Sequence, residues 1–169
     1  MKESSNSDNI ILITEDKSYL NDTSNKCVEK FYWYPNAIVN NMVKDYCVKN
    51  NLTEKVLEIG PGVVPFSYAT DFIGCNEKIK DYIDIDIDTD IFPYKDNTFD
   101  FIYCRHVLED IQNPDFALRE IIRVSSGYGY IETPSPLIES MKNIDGSAFS
   151  HKYCGYIHHR YLVWSSIER

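Results

Sequence analysis

The sequence has no hydrophobic run long enough to cross a membrane, and its cysteines show no paired spacing. No apolar stretch approaches the roughly 20 residues that a membrane-spanning helix needs. The run Ile10–Ile13 is too short for the core of a signal peptide. The five cysteines are an odd, scattered set. We therefore expect reduced thiols and a cytoplasmic protein without a membrane anchor.

Basic residues are also scarce, since 17 lysines and arginines stand against 26 aspartates and glutamates and give a net charge of −9. This balance disfavours non-specific attraction to nucleic acid or to an anionic membrane surface. The basic residues that could form a local patch are Lys152, His158, His159 and Arg160. We therefore expect a small-molecule, glycan or protein substrate, and the composition leaves the oligomeric state open.

The length of 169 residues is suited to one domain, and no internal repeat is visible. Residues 1–30 are predicted to be poorly ordered, residues 31–135 to form the core, and residues 136–169 to form a substrate-side loop or lid. Within that last segment, Tyr161–Trp164 is a candidate final strand. The apolar spacing predicts an amphipathic helix at Asn36–Cys47. A second helix is predicted to begin at Pro114, with Asn113 as its N-cap.

A short apolar run containing one acid, Val56–Ile59, is followed by two glycines two positions apart, Gly60 and Gly62. This pattern is typical of a buried parallel strand that ends in a tight turn, where glycine lets the backbone take positive φ and approach a ligand. Glu58 is placed at the carboxyl end of the strand, the edge where open α/β sheets bind ligands. A carboxylate there repels phosphate and attracts a cation, so the pattern favours an aminoacyl cofactor.

Two further motifs follow in order along the chain. Phe92–Cys104 predicts a turn, a loop and an apolar strand, and Arg105–Asp110 comes directly after it. Arg119–Val124 ends the second predicted helix, which Ser125–Gly127 terminates. Tyr128–Glu132 then predicts another strand.

These three motifs together resemble the class I (Rossmann-like) S-adenosylmethionine-dependent methyltransferases, specifically the type 11 group. That group carries a Glu/Asp-x-Gly-x-Gly loop, a Leu-Pro-Phe-x-Asp-x-Ser-Phe-Asp block and a Glu-x-x-Arg-Val helix in this order. The resemblance runs from Lys55 to Pro134, about half of the chain. It implies an α/β fold with an open, mostly parallel sheet and flanking helices, shortened at the C-terminus because little sequence remains for the family's last strands. It also implies S-adenosylmethionine as the cofactor.

The resemblance places the first group of cofactor contacts at the glycine turn. Glu58 is expected to steady the turn and the region near the cofactor's ammonium group. The backbone at Gly60, Pro61 and Gly62 is expected to pass under the methionine and the ribose. Cys104, at the end of the strand in the second motif, is assigned to the same site.

The resemblance also assigns the adenine contacts and shows one departure from the family. Asp88 is expected to accept a hydrogen bond from the adenine amino group, with the Thr89 backbone facing the ring. The family's third glycine position is Val64 here. Pro65 follows it and leaves room for a helix only at Phe66–Ala69.

The strands after the glycine turn can be placed in two ways. Either Ala69–Ile73 is the second strand and Asp81–Ile85 the third, or Asp81–Ile85 is itself the second strand. We favour the first placement. An acid at the end of the second strand usually holds the ribose hydroxyls in this family. The candidates are therefore Asp71 under the first placement and Asp84 or Asp86 under the second.

His106 and Arg105, just past the fourth strand, are the candidate catalytic residues. Methyl transfer mainly requires that the acceptor is aligned and water excluded. A general base is needed only for a hydroxyl or a neutral-pH amine acceptor. The unperturbed pKa of histidine suits His106 to that role, and Arg105 could instead clamp an acidic substrate.

The C-terminal segment contains His158, His159 and Arg160, which are predicted to bind the acceptor. His151 and Cys154 lie nearby, and together with the two adjacent histidines they resemble a set of metal ligands. Their spacing matches no standard zinc pattern, so no metal site is predicted.

The sequence is therefore compatible with two functions. The first is an active methyltransferase that uses S-adenosylmethionine and an acceptor of unknown identity. The second is a catalytically inactive, methyltransferase-like binding or scaffold module, which the missing third glycine and the shortened C-terminus favour. Retention of Glu58, Gly60 and Gly62 supports the first.

Overall fold

A computed structural model describes residues 35–62, 65–74, 82–144 and 150–163, without the side chains of residues 35–38 and 150. The chain divides into two compact units, residues 1–53 and 54–169. The segment predicted to be poorly ordered, residues 1–30, lies outside the described residues, as do Val64 and Trp164. No helix within the described ranges is long and apolar enough to cross a membrane.

The first unit contributes one described helix, α1 (Pro35–Lys49), where the apolar spacing predicted it. Val43 and Cys47 are four residues apart, therefore share one face, and are both buried. The chain leaves the helix through Asn51, whose φ of 57° is a left-handed conformation that asparagine tolerates. The backbone N–H of Leu52 closes this turn on the Cys47 carbonyl at 2.8 Å.

The second unit is built on a five-stranded sheet. Its strands are β1 (Val56–Ile59), β2 (Asp71–Gly74), β3 (Ile83–Asp84), β4 (Phe101–Arg105) and β5 (Gly129–Glu132). Its helices are α2 (Pro114–Val124), α3 (Pro136–Glu139) and a 3₁₀ turn (Ser150–Lys152). The strand order is β3-β2-β1-β4-β5, and each neighbouring pair is parallel. The predicted open α/β sheet is confirmed.

The first of the two strand placements is confirmed, because β2 and β3 fall in the segments that it assigned to the second and third strands. The short helix predicted at Phe66–Ala69 is instead a turn, closed by the Ala69 N–H on the Phe66 carbonyl at 3.0 Å. The predicted last strand is wrong over its described part, since residues 161–163 are not in a strand. Instead, the Tyr161 N–H donates to the Glu109 carbonyl at 3.3 Å and its hydroxyl to the Gln112 carbonyl at 2.7 Å, so this stretch is docked on the loop that follows β4.

The core of the second unit forms around the two central strands. All four residues of β1 and the first four of β4 are buried, a continuous pattern typical of a parallel sheet. The face of α2 that carries Ala117, Ile121 and Val124 belongs to the same buried cluster as Leu57 and Ile102. Packing of α2 with these strand residues therefore sets the orientation of the chain that connects β4 to β5.

The ends of α2 follow the signals in the sequence. The side chain of Asn113 accepts a hydrogen bond from the Phe116 N–H at 3.3 Å, and Pro114 occupies the first turn, where its missing N–H costs nothing. The helix stops at Ser125, whose backbone is extended. The predicted N-cap and end of this helix are confirmed.

An arginine near the end of α2 binds the loop that precedes β4. Arg123 donates to both carboxylate oxygens of Glu120, at 2.9 and 2.6 Å. Its guanidinium also donates to the carbonyls of Tyr94 and Phe92, at 2.7 and 3.0 Å, and to the Asp96 carboxylate at 3.0 Å. Glu120 in turn accepts the Phe92 N–H at 2.9 Å. We call this set of contacts the Arg123 clamp, and it joins the second and third sequence motifs.

Removing the arginine should destabilise the fold strongly. In Arg123→Ala, the buried Glu120 carboxylate loses its cationic partner and the Phe92 and Tyr94 carbonyls lose their donor. We expect the free energy of unfolding to fall by about 3 kcal/mol, measured by urea denaturation. Arg123→Lys should recover only part of the loss, because an ammonium cannot donate in a fork.

Arg119→Ala is the matched control, since Arg119 is an exposed arginine on the same helix. An equal loss of stability in both alanine variants would contradict the clamp and indicate a general effect of arginine on α2.

Candidate functional site

The carboxyl ends of the parallel strands meet at one edge of the sheet, and Glu58 lies there on β1. Its side chain is only 5% exposed, and Oε2 accepts the Phe66 N–H at 2.8 Å. Burial raises the pKa of Glu58 to about 7, although the Phe66 hydrogen bond and the positive charge of Arg105 oppose the shift. The carboxyl group is therefore balanced between its neutral and charged forms near neutral pH.

The two glycines of the turn after β1 have different structural roles. Gly60 has a φ of 62°, and a Cβ there would collide with Cγ2 of Val107. Gly60 also donates its N–H to the Ile73 carbonyl at 2.9 Å. Gly62 does not have a positive φ, and a Cβ there would meet no described atom within 4 Å. The fold therefore requires glycine at Gly60, whereas at Gly62 the absence of a side chain leaves the backbone approachable.

Asp71, the ribose candidate under the first strand placement, does not lie at the end of the second strand. Asp71 begins β2 and pairs in register with Leu57, so it lies toward the amino end of the sheet. Its Oδ2 accepts a hydrogen bond from the Thr70 hydroxyl at 2.7 Å. The strand ends at Gly74, and residues 75–81 beyond it are outside the described ranges. Asp71 is therefore at the wrong edge to hold a ribose bound over the glycine turn.

The other two ribose candidates lie on the correct side of the sheet. Asp84 ends β3 and is opposite Gly74 in register, with its side chain exposed. Asp86 follows in the next loop, where its Oδ1 accepts the Asp88 N–H at 2.9 Å. A ribose contact by either acid remains a prediction.

Asp88 has a structural role that the sequence did not indicate. Its Oδ1 accepts the backbone N–H groups of Gln112 and Asn113, at 2.6 and 2.7 Å. These bonds tie the loop after β3 to the residues that start α2. The Thr89 N–H donates to the Asp86 carbonyl at 3.2 Å. The adenine contacts assigned to Asp88 and Thr89 remain predictions. Asp88 would have to accept the adenine hydrogen bond while it keeps these two backbone bonds.

Cys104 lies near the carboxyl end of β4, opposite Ile59 of β1 in register. It is fully buried, and burial, followed by the nearby carboxylates of Glu109 and Glu58, raises its pKa to about 12. The thiol is therefore protonated at neutral pH, and it can contribute an apolar wall to the site rather than a charge. Its contact with the cofactor remains a prediction.

Arg105 is already paired, which argues against the predicted role as a substrate clamp. Its Nε and Nη2 donate to the two carboxylate oxygens of Glu132, at 2.7 and 2.8 Å. Tyr130 adds a hydrogen bond to Glu132 at 2.7 Å. Burial alone would raise the pKa of Glu132, but hydrogen bonds from His106 and Arg105 outweigh it and lower that pKa to about 2. The Arg105 guanidinium is therefore already bound to a carboxylate that stays ionised at neutral pH.

His106 is held in its charged form, contrary to the role of general base. Its Nδ1 and Nε2 each lie 3.3 Å from a carboxylate oxygen, of Glu109 and Glu132 respectively. Burial alone would lower the pKa of His106, but the hydrogen bonds to Glu109 and Glu132 raise it to about 9. A base must be neutral to accept a proton, so this geometry argues against His106 as a general base at neutral pH, and a catalytic role for it remains a prediction.

Glu109 is the residue of this edge that the sequence analysis missed. It is 1% exposed, and its Oε2 has no hydrogen-bond partner among the described residues. Its Oε1 is the oxygen that contacts His106. An acid that directly follows two apolar residues, Val107 and Leu108, was the available signal in the sequence.

The C-terminal segment binds directly to the loop that follows β4. The Arg160 N–H donates to the Glu109 carbonyl at 2.6 Å, and its Nε donates to the Asp110 carbonyl at 3.0 Å. His158 and His159 each place Nε2 at 3.8 Å from Oδ1 of Asp110. The structure therefore brings the three predicted acceptor residues beside the β4 loop, and acceptor binding itself remains a prediction.

Residues 51–132, just under half of the chain, match the family model described as a methyltransferase domain. Among solved structures, the 4+2 cyclase SpnF is similar at 23% identity and a TM-score of 0.34, over 42% of this chain and 34% of that one. The chain thus spans about a third of the cyclase's length. A methyltransferase from Thermotoga maritima, described as S-adenosylmethionine-dependent and a possible histamine N-methyltransferase, is similar at 22% identity and a TM-score of 0.46. That similarity covers 78% of this chain and 71% of that one. No curated protein matches the sequence.

Replacing the first glycine of the turn should reduce stability, whereas replacing the second should not. Gly60→Ala forces a Cβ onto Val107 at a positive φ, so we expect the free energy of unfolding to fall by about 2 kcal/mol or more. Gly62→Ala should stay within about 0.5 kcal/mol of the parent. Thermal and urea unfolding of both variants would measure the difference, and equal losses would contradict the assignment.

The charge on His106 can be measured directly. In an NMR titration, its imidazole should titrate with a pKa of about 9, and Glu132→Gln should lower that value because one carboxylate partner is lost. Because the folded-state pKa is raised above the unfolded value, protonation stabilises the fold. That contribution should be present below about pH 6.5 and be lost as the pH rises through 9.

Asp115→Asn is the control for a general change in charge, since Asp115 is an exposed acid at the start of α2. A titration midpoint for His106 below 7 would show that the carboxylate contacts do not hold the proton.

Proposed function

We propose that this chain transfers a methyl group from S-adenosylmethionine to a small-molecule, glycan or protein acceptor, since residues 51–132 match the model of a methyltransferase domain and fold into an open parallel sheet. The observation that carries the proposal is Glu58, a buried acid beside the Gly60 turn at the carboxyl edge of the sheet. A ligand that carries positive charge is the chemical complement of this edge.

The residues at this edge fit the cofactor. Glu109 places an unpartnered carboxylate oxygen in the same region, within the described part of the chain, and both it and Glu58 act electrostatically on Cys104. The ammonium and sulfonium groups of S-adenosylmethionine are cations, which such acids stabilise. Glu58 would face the ammonium side, and the approachable backbone at Gly62 would lie against the methionine or ribose.

The adenosine half would lie toward β3 and the loop that follows it. Asp84 and Asp86 are the acids available there for the ribose hydroxyls, and Asp88 with Thr89 borders the adenine position. The two backbone bonds that Asp88 accepts hold this loop against the start of α2, so the loop is fixed in place before a ligand arrives.

When bound, S-adenosylmethionine supplies a methyl group on a positively charged sulfur, whose own charge activates it for transfer. The residues of this chain then have to position the acceptor and keep water away. Cys104 and Val107 provide buried apolar surface at this edge, and the C-terminal segment around His158 borders the β4 loop. This arrangement suits an acceptor that needs no base, because His106 carries a proton at neutral pH.

The alternative is a binding or scaffold module that has lost catalysis. One observation favours it: His106 and Arg105, the two predicted catalytic residues, are both engaged by Glu132. Such a module has no need to retain affinity for the cofactor, so a binding measurement separates the two functions.

Calorimetric titration with S-adenosylmethionine and S-adenosylhomocysteine is the test. We expect micromolar binding that tightens as the pH rises from 6 to 8, because Glu58 ionises with a pKa of about 7 and both ligands carry an ammonium group that the charged carboxylate attracts. Glu58→Gln should weaken binding by about 10- to 100-fold and remove this pH dependence. The glutamine oxygen can still accept the Phe66 N–H, so the turn should survive.

Glu54→Gln is the matched control, since Glu54 is an exposed acid that precedes β1 and its loss changes the net charge equally. Absence of binding by a folded wild-type sample would refute the methyltransferase activity and favour the scaffold. Binding that is unchanged in Glu58→Gln would keep the cofactor but remove Glu58 from its site.

A further inference from the structure

Two histidines and one aspartate from distant parts of the chain converge beside the β4 loop. Nε2 of His158 and Nε2 of His159 each lie 3.8 Å from Oδ1 of Asp110, and one ligand atom from each residue falls within 4.8 Å of the others. About fifty residues separate Asp110 from the histidines, so the fold rather than local sequence creates this group. Imidazole and carboxylate are the donors that zinc and related divalent metals take.

The carboxylate oxygen at the centre of this group lacks a hydrogen bond. Oδ1 of Asp110 is buried and has no partner among the described residues, and 3.8 Å exceeds the length of a direct hydrogen bond to either imidazole. A buried carboxylate oxygen without a hydrogen bond is costly unless a water molecule or a positive charge lies beside it, and a metal ion between the three donors would supply that charge.

The orientation of His159 is set by a second carboxylate. Its Nδ1 lies 2.7 Å from Oε1 of Glu139, and both side chains are less than a tenth exposed. A carboxylate can only accept, so the proton of this contact is on Nδ1, and Nε2 is the nitrogen that is directed at Asp110. Metal-binding histidines usually have this second-shell partner, which fixes the tautomer and the ring.

Glu139 is itself fixed by the chain that carries the histidines. Its Oε2 accepts the Tyr156 N–H at 3.3 Å. Gly155 has a φ of 65°, and a Cβ there would collide with the Glu139 side chain and backbone. Glycine therefore allows the turn before the histidines to lie directly on Glu139, which holds His159 in place before any ion binds.

Two of the three separations between the donor atoms are close to those of a coordination shell, and the third, between the two histidines, is within 4.8 Å. Tetrahedral zinc, with bonds of about 2.0–2.2 Å, separates its ligand atoms by about 3.3–3.6 Å. The observed 3.8 Å between Asp110 and each histidine needs a contraction of only a few tenths of an ångström. His158 is 60% exposed, so it can adjust its rotamer and leave a fourth position open to water or another ligand.

We propose that Asp110, His158 and His159 bind one divalent transition-metal ion, with zinc as the reference ion and Glu139 as the second-shell partner of His159. The ion would join the C-terminal segment to the loop after β4, two parts of the chain that already meet through Arg160. The site does not depend on methyl transfer, and it can exist in either an enzyme or a scaffold.

The test uses the whole 169-residue chain, treated with a chelator and then titrated with Zn²⁺ against a chromophoric competitor. We expect one equivalent to bind, and Co²⁺ substitution to give the absorption bands of a four-coordinate site. His158→Ala should weaken Zn²⁺ binding by 100-fold or more. Because the His158 side chain is exposed, this variant should still fold. Asp110→Asn should weaken binding to a similar degree, and Glu139→Gln by about 10- to 100-fold.

His151→Ala and Cys154→Ser are the controls, because both residues are exposed metal-ligand types in the same segment but lie outside the group. Their affinity for Zn²⁺ should equal that of the parent. Absence of Zn²⁺ binding by the wild type would overturn the proposal. So would equal affinity in His158→Ala and wild type, since that result would place the ion elsewhere on the chain.

Discussion

The balance of charge at the carboxyl edge of the sheet is the constraint on which the second unit depends. Glu58 and Glu109 are buried there, Glu132 is partly buried, and Arg105 and His106 are the cations that face them. Both cations are drawn toward Glu132, which stays ionised as a result. The negative charge of Glu58 is only partly compensated by these cations, and burial raises the pKa of its carboxyl group to about 7. A positively charged ligand would complete this balance, whereas an anionic one would worsen it.

Two of the sequence motifs, the loop block and the helix motif, are joined by one set of contacts in the structure. Arg123 belongs to the helix motif, and Phe92 and Tyr94 belong to the loop block, yet their hydrogen bonds form a single clamp. Glu120 closes it from the same helix. Two motifs that are separate in the chain are therefore the two sides of one interaction. This explains physically why a chain that carries the loop block also needs the helix motif.

Local signals predicted most of the fold, and long-range partners account for what they missed. The apolar runs located the strands, and Asn113 marked the start of α2, because both depend on neighbours in the sequence. The position of Asp71 at the start of β2 could not be predicted from the sequence, because a four-residue strand has no residue that marks its beginning. The protonation of His106 depends on Glu132, and the convergence of Asp110 with His158 depends on docking of a distant segment. Neither contact could be predicted from the residues that neighbour each partner in the sequence.

The short outer strand of the sheet has a consequence for how this molecule meets copies of itself. β3 has only two residues, and Asp84 ends it before two more acids, Asp86 and Asp88, in the following loop. An open strand normally offers unpaired backbone groups to another chain, but a brief strand bordered by negative charge is a poor template. Two molecules that approached edge to edge here would bring like charges together. The acids considered for ribose binding thus also discourage aggregation, and changing them for the sake of cofactor affinity would weaken that protection.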